Sequence, residues 1–243
     1  IQREPSDLFS PELLGMASSI GIEKGKPFNP SPEQKALLTE AVAIGNATAR
    51  SILFGPKDPK NFIYPGKAGY WQTGFPGGSH EYLVNKGNGG RDMDGRTLFF
   101  YLATVNTPAM ALEIPGVGSQ YAFSSRDGSG AYLNGSNTYK LNIPANPPAQ
   151  KFWSFVVYDP QTRSMLQTGE MPYPSKNNKR NADMVKNADG SIDLYFGPQA
   201  PAGMEANWVK TVPGKGWFGI FRLYGPGQEW FDRTWKLGDI EKV

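Results

Sequence analysis

Apolar positions are arranged differently in the first quarter of this 243-residue chain and in its second half. Early on they recur at three- and four-residue spacing, which is the signature of an amphipathic helix. Ser10-Pro11-Glu12 opens one such pattern through Leu13, Leu14 and Met16, with Ser10 placed as N-cap and Pro11 at the first helical position. Ser31-Pro32-Glu33-Gln34 repeats the device as a capping box, and Leu37, Ala41, Ile44, Thr48 and Ile52 then fall on one stripe that ends at Gly55-Pro56. An apolar stripe needs a surface to cover it, so residues 1–60 are expected to form a helical connector that docks on the body, a second subunit or another domain.

Residues 61–129 lose this period. They open with the Gly- and aromatic-rich text YPGKAGYWQTGFPGGSHEYL and include RTLFFYLATV at 96–105, which fits a buried strand or a short helix, and we favour helix. The aromatics of 61–82 suit packing over a sheet better than stacking on sugar rings. After residue 118, short β-branched and aromatic blocks alternate with turn residues. Strands are predicted at 119–123, 138–143, 151–158, 164–167, 191–196 and 216–224. Asp127-Gly128, Asn134-Gly135 and Asp189-Gly190 suggest tight hairpin turns of type I′. The predicted class is α+β, mainly β with N-terminal helices, its body an antiparallel jelly-roll or β-sandwich.

Composition narrows the chemistry more than the fold. Twenty-nine glycines and 21 prolines agree with many short strands and turns. Cysteine is absent, which removes thiol catalysis, disulfides and thiolate zinc sites. The net charge of +3 is mild and its cations are dispersed, so nucleic-acid binding gains little support. The one compact basic stretch, 176–186, reads better as a solvated loop than as an anion patch. His80 is the sole histidine and no G-x-S-x-G elbow is present, which disfavours a Ser-His-Asp hydrolase. No window is long and apolar enough for a membrane helix. The chain starts at Ile1, and a removed leader or an upstream domain is the expectation.

The strand GWFGIFRLYG carries the most informative charge. Alternation puts Trp217, Gly219, Phe221 and Leu223 on one face, and Phe218, Ile220, Arg222 and Tyr224 on the other. Arg222 thus sits among apolar neighbours and requires a planar acceptor. Asp159, Glu205 or Asp232 from the chain could supply it, as could a ligand carboxylate or phosphate, and an internal pair is favoured. Tyr158-Asp159-Pro160-Gln161-Thr162-Arg163 reads as a strand end and turn, in which Asp159 could alternatively serve as metal ligand or acid/base and Arg163 as an anion clamp. Glu205 and Trp208 lie in a loop, and Lys215 lies between glycines without P-loop spacing. Any metal would be hard and oxygen-bound, Mg²⁺ or Ca²⁺, with Asp92, Asp94, Asp127, Asp189 and Asp193 as candidate ligands.

Three stretches, FWSFVVYDPQTRSML, NADGSIDLYFGPQAPAGMEANWVKTVPGKGWFGIFRLYGP and WFDRTWKLGDIE, resemble the C-terminal module of the paired-domain proteins of unknown function families 1254 and 1214. The resemblance to the 1214 module spans roughly residues 130–243, and EPSDLFSPELLGMASSIGIEKGKPF with AIGNATAR resembles the segment joining the two modules. Lys236-Leu237-Gly238-Asp239 departs from the family's Arg-Pro-Gly-Asp. The resemblance implies a jelly-roll-like module, an upstream 1254 module outside this chain and periplasmic or secreted localisation; it implies little chemistry, and divalent-metal-assisted hydrolysis of phosphorylated polyols is carried as a hypothesis.

Two functions follow as expectations. In a metal-assisted hydrolase of phosphate esters or glycans, Asp159 and Glu205 would hold metal or act as base, while Arg163, Lys215 and Arg222 would neutralise the developing anion. In a binding module for carbohydrate or cell-envelope ligands, or a structural subunit of an exported assembly, Trp208, Tyr224 and the cations would serve as contacts without chemistry. The expected partners are a small-molecule or glycan ligand, and the 1254 module or a second subunit, as in a homo-oligomer, docked on residues 10–54.

Overall fold

A computed structural model describes residues 1–64, 70–103 and 105–243. Residues 65–69 and 104 of the Gly/aromatic-rich segment lie outside the described residues. Contacts divide the chain into residues 1–49 and residues 50–243.

The first unit is helical. Helix α1 (Pro11–Ser19) starts at Ser10, whose Oγ accepts the Leu13 N–H at 3.3 Å. Helix α2 (Pro32–Phe54) starts likewise, with Ser31 Oγ accepting the Gln34 N–H at 3.2 Å. The reciprocal half of the expected capping box is replaced: the Gln34 amide donates instead to the Ile20 carbonyl at 2.9 Å. No residue from 1 to 49 is buried, and Leu37, Val42 and Ile44 of α2 are exposed.

The second unit is mixed α+β. Its helices are the last turn of α2, α3 (Met93–Leu102), α4 (Pro108–Ala111) and α5 (Gln228–Phe231). Helix α3 settles the ambiguity of RTLFFYLATV: Asp92 caps it by accepting the Gly95 N–H at 3.0 Å, and Leu98 and Phe99 turn inward. Among the described residues eight strands form two open four-stranded sheets. The first contains β1 (Ser119–Ser124), β7 (Phe218–Pro226), β3 (Ala149–Tyr158) and β4 (Ser175–Asn177), in that order and all antiparallel. The second contains β6 (Trp208–Lys210), β5 (Ile192–Gly197), β2 (Tyr139–Ile143) and β8 (Ile240–Lys242). Strands β5 and β6 run parallel, so the expected all-antiparallel jelly-roll or sandwich is reduced to two antiparallel-rich open sheets with helices. The predicted strand at 164–167 is only an isolated bridge between Tyr158 and Met165.

Alternation along β7 works as the pattern requires. Phe221 and Leu223 enter the main core together with Trp153, Phe155, Leu141, Leu194 and Phe196, so side chains of both sheets share one core, and the Phe155 and Phe196 rings meet at 4.8 Å. Phe218 and Ile220 point to the opposite face of the first sheet. There they meet Leu53, Phe54 and Leu98 in a second cluster, and each such fully buried side chain stabilises the fold by roughly 1.5–3 kcal/mol. A third cluster joins Phe75, Tyr82, Phe99 and Ala111. Trp71, Phe75 and Tyr82 are all buried, so these aromatics of 61–82 pack inward, and the Trp71 indole donates to the Gly238 carbonyl at 2.9 Å.

The turns differ from the type I′ expectation. Gly128 and Gly135 do not have positive φ; Gly130 (φ 89°) and Gly190 (φ 84°) do. Asp127 Oδ1 accepts the N–H groups of Ser129 and Ala131 at 3.0 Å each, which builds a longer loop. Gly135 is required for another reason, since a Cβ there would lie 2.2 Å from the Val212 carbonyl oxygen. The basic stretch expected to be a solvated loop begins as strand β4 and buries Lys176 opposite Phe155. Burial lowers the pKa of the Lys176 ammonium, with Asp183 acting in the other direction.

Candidate functional site

The outer face of the first sheet carries a cavity of about 220 Å³ beneath the end of α3. Its floor consists of Tyr121 and Phe123 from β1, Phe218, Ile220 and Arg222 from β7, and Tyr158 from β3. Phe99, Leu102 and Ala103, at the C-terminal end of α3, form its roof with Met110 of α4, and Gly74-Phe75 closes one side. Arg163 reaches it from the turn after β3.

Strand register brings the polar groups together. Arg222 faces Tyr121 across β1–β7 and Ser154 across β3–β7, so all three share one face. The Arg222 Nη2 donates to the Tyr158 hydroxyl at 2.6 Å, and the guanidinium carbon lies 5.5 Å from the Tyr158 ring and 5.9 Å from the Tyr121 ring. Tyr158 is itself stacked on Phe218 at 5.2 Å. Tyr121 shares a 2.7 Å hydrogen bond with Ser119 Oγ. Among the described residues no carboxylate lies within ion-pair distance of Arg222, which overturns the favoured internal Arg–carboxylate pair. A phenol and two ring faces take its place, and they leave the charge formally uncompensated.

Arg163 has backbone φ of 59°, an uncommon left-handed geometry for a side-chain-bearing residue. The 159–164 loop enforces it: the Asp159 N–H donates to the Ser164 carbonyl at 2.9 Å, and the Arg163 N–H to the Asp159 carbonyl at 2.8 Å. The resulting direction carries the guanidinium over the Tyr101 ring at 4.2 Å, where Nε donates to the Tyr101 carbonyl at 3.2 Å. Arg163 therefore neutralises the negative end of α3 as well as bordering the cavity.

The remaining predicted residues lie elsewhere. Asp159 is buried, but its Oδ1 accepts the Gln161 N–H at 2.7 Å and its Oδ2 meets the exposed Lys215 ammonium at 3.2 Å. Burial pushes its carboxyl pKa up; the Gln161 N–H and Lys215 outweigh that and hold it below the usual carboxylate range. Glu205 is exposed on the single turn Glu205–Asn207, and the adjacent Trp208 indole donates to the Gly197 carbonyl at 2.9 Å. Tyr224 stands two residues beyond Arg222 on the same face and stacks on Phe152 at 4.1 Å, outside the cavity wall. Burial raises its phenol's pKa, with Arg222 pulling the other way. Tyr121, Tyr158, Phe99 and Met110 were not singled out from sequence. Only the register and the fold-back of α3 bring them together.

The acidic residues do not assemble for a metal. Among the described residues no three His, Asp or Glu side chains converge to hold an ion. Asp127 and Asp189 close turns, the latter accepting the Ser191 N–H at 2.9 Å, and Asp193 accepts from the Asn142 amide at 2.7 Å. The cavity offers guanidinium and phenol groups, a set that repels a divalent cation.

Residues 118–228 match the profile of a family described as a protein of unknown function, DUF1214, which supports a 1214 module starting at the head of β1. No curated protein matches. Among solved structures, the chain is similar to the VPA0106 protein from Vibrio parahaemolyticus, at 22% identity and a TM-score of 0.48, covering 96% of this chain and 50% of that one. It is also similar to an uncharacterized protein from Burkholderia cenocepacia, at 16% identity and a TM-score of 0.40, covering 96% and 48%. The chain thus spans about half the length of each of these two structures.

Proposed function

We propose that the 50–243 unit is a binding module for a small organic anion with an apolar body, held in the cavity between the first sheet and α3, without chemistry performed on it. One observation carries the reading: Arg222 sits at an aromatic-walled cavity with a phenol, and no carboxylate, as its partner among the described residues. Holding a cation among apolar walls is costly, and a ligand anion would relieve that cost. Concave, mostly apolar walls with a few convergent polar groups are the usual form of small-molecule sites. The metal-assisted hydrolase reading has no comparable support, because Asp159 is committed to its turn and Lys215, and Glu205 is exposed outside the cavity.

The test is thermal unfolding of the chain with a panel of small aromatic and aliphatic acids, in wild type and in Ala103→Leu, which fills the cavity roof. At a hundredfold excess over Kd a ligand adds about 2.7 kcal/mol, a rise in Tm on the order of 5–10 °C for a domain of this size. Wild type should shift and the filled variant should not. Equal shifts in both proteins, or no shift with any acid, would remove the reading.

A further inference from the structure

Resting on the reading of this cavity as a ligand site, we infer that its ligand is a monocarboxylic acid whose body is a single ring or a short aliphatic chain. Each polar group beside Arg222 is a donor or can become one. The Arg222 guanidinium has no acceptor atom, so Tyr158, which accepts from Nη2 at 2.6 Å, cannot turn its own hydroxyl hydrogen back toward it. That hydrogen is available to a ligand. Tyr121 is 2.7 Å from Ser119 Oγ, and when the serine donates, the Tyr121 hydrogen is also available. A guanidinium edge with two phenol donors and no competing acceptor complements two planar carboxylate oxygens.

Charge sets the anion's valence. Of the two guanidiniums at the cavity, Arg163 is already engaged with the Tyr101 carbonyl and ring at the C-terminal end of α3. Arg163 Nε and Nη1 are spent on the Tyr101 and Gln161 carbonyls, so among the described residues Arg222 is the guanidinium with most donors left for the ligand, which fits a single carboxylate. A phosphate ester dianion would bring a second charge into an apolar space, beside the partially negative end of a helix and with no N-terminal amides to receive it. Beyond this corner the described walls are mostly apolar, Phe99, Leu102, Met110, Phe123 and Ile220, and Arg163 at the border already donates to the Tyr101 and Gln161 carbonyls. At about 220 Å³ the space exceeds the roughly 150 Å³ that accommodates benzene by room for a carboxylate and a short link.

The experiment is calorimetric titration of the whole chain with phenylacetate, hexanoate, the neutral isostere phenylacetamide and phenyl phosphate, repeated with Arg222→Met and Tyr158→Phe. Near-ultraviolet circular dichroism checks that each variant remains packed. Phenylacetate or hexanoate should bind at least tenfold more tightly than phenylacetamide, as a charge-assisted contact implies. Arg222→Met should erase that preference and leave amide binding within a few fold, and Tyr158→Phe should lower it in part. Binding of the amide as tight as that of the acids, or tighter binding of phenyl phosphate, would overturn the carboxylate assignment while leaving a ligand cavity. A failure of all four compounds to bind would overturn both.

Discussion

Asp159 carries two duties that a pair of substitutions can separate. Its Oδ1 closes the turn by accepting from Gln161, and its Oδ2 meets Lys215. Asp159→Ala removes both and should cost about 1–2 kcal/mol in urea unfolding, since it leaves a turn N–H without its partner. Asp159→Asn keeps an acceptor but loses the charge opposite a half-exposed lysine, so its cost near pH 7 should stay below about 1 kcal/mol. Because the folded carboxyl pKa is depressed, the charge-dependent stability is present above the unfolded pKa of about 4 and is lost as pH falls through the folded value. The difference between wild type and Asp159→Asn should therefore be constant above about pH 5 and shrink at lower pH. A difference that grew in acid would contradict this assignment. Asp159 as a turn residue and Arg222 as a charge among apolar neighbours were both legible in the sequence. The phenol partner of Arg222 was not, because a hydroxyl on another strand becomes a partner only through a register that no local pattern encodes.

At the scale of elements, β7 depends on a missing side chain. Gly219 lies on the core face of β7 diagonal to Phe155 of the neighbouring β3, and a Cβ there would lie 2.1 Å from the tip of that ring. Phe155 cannot retreat, being fully buried with its ring against Trp71 and Phe196. Gly219→Ala should therefore destabilise by about 1–3 kcal/mol, lowering Tm by several degrees in a thermal melt. An unchanged Tm would mean that the core is looser than its geometry indicates. The longer strands were legible because five to ten residues show the two-residue period. Strands β4, β6 and β8 are three residues each, too short to show any period, and β6 joins β5 in parallel by a non-local pairing. The Asp-Gly and Asn-Gly pairs marked turns but not their type: Gly128 and Gly135 keep ordinary φ, with Gly130 supplying the left-handed position in the first loop. The helix favoured at 96–105 is α3, which begins earlier, at Met93 behind the Asp92 cap, and ends at Leu102.

For the whole molecule, burial separates what holds the fold from what is appended to it. Residues 1–49 contain no buried residue, whereas the three apolar clusters lie wholly within residues 50–243. Helices without a buried face are marginal in water, so α1 and the first turns of α2 contribute little to a cooperative core. Trypsin should therefore cut first near Lys24, Lys26 and Lys35, all in the first unit, and leave a resistant fragment carrying both sheets. A chain shortened to residues 47–243 should melt within about 2 °C of the full chain, since none of the removed residues is buried. It should also keep the same affinity for any ligand of the cavity, all of whose walls lie in the retained unit. Leu37 and Ile44 of the apolar stripe in α2 are exposed. Paired melts and titrations of the long and short chains check this division. A fall of more than about 5 °C on truncation would show that the helices stabilise the β unit after all.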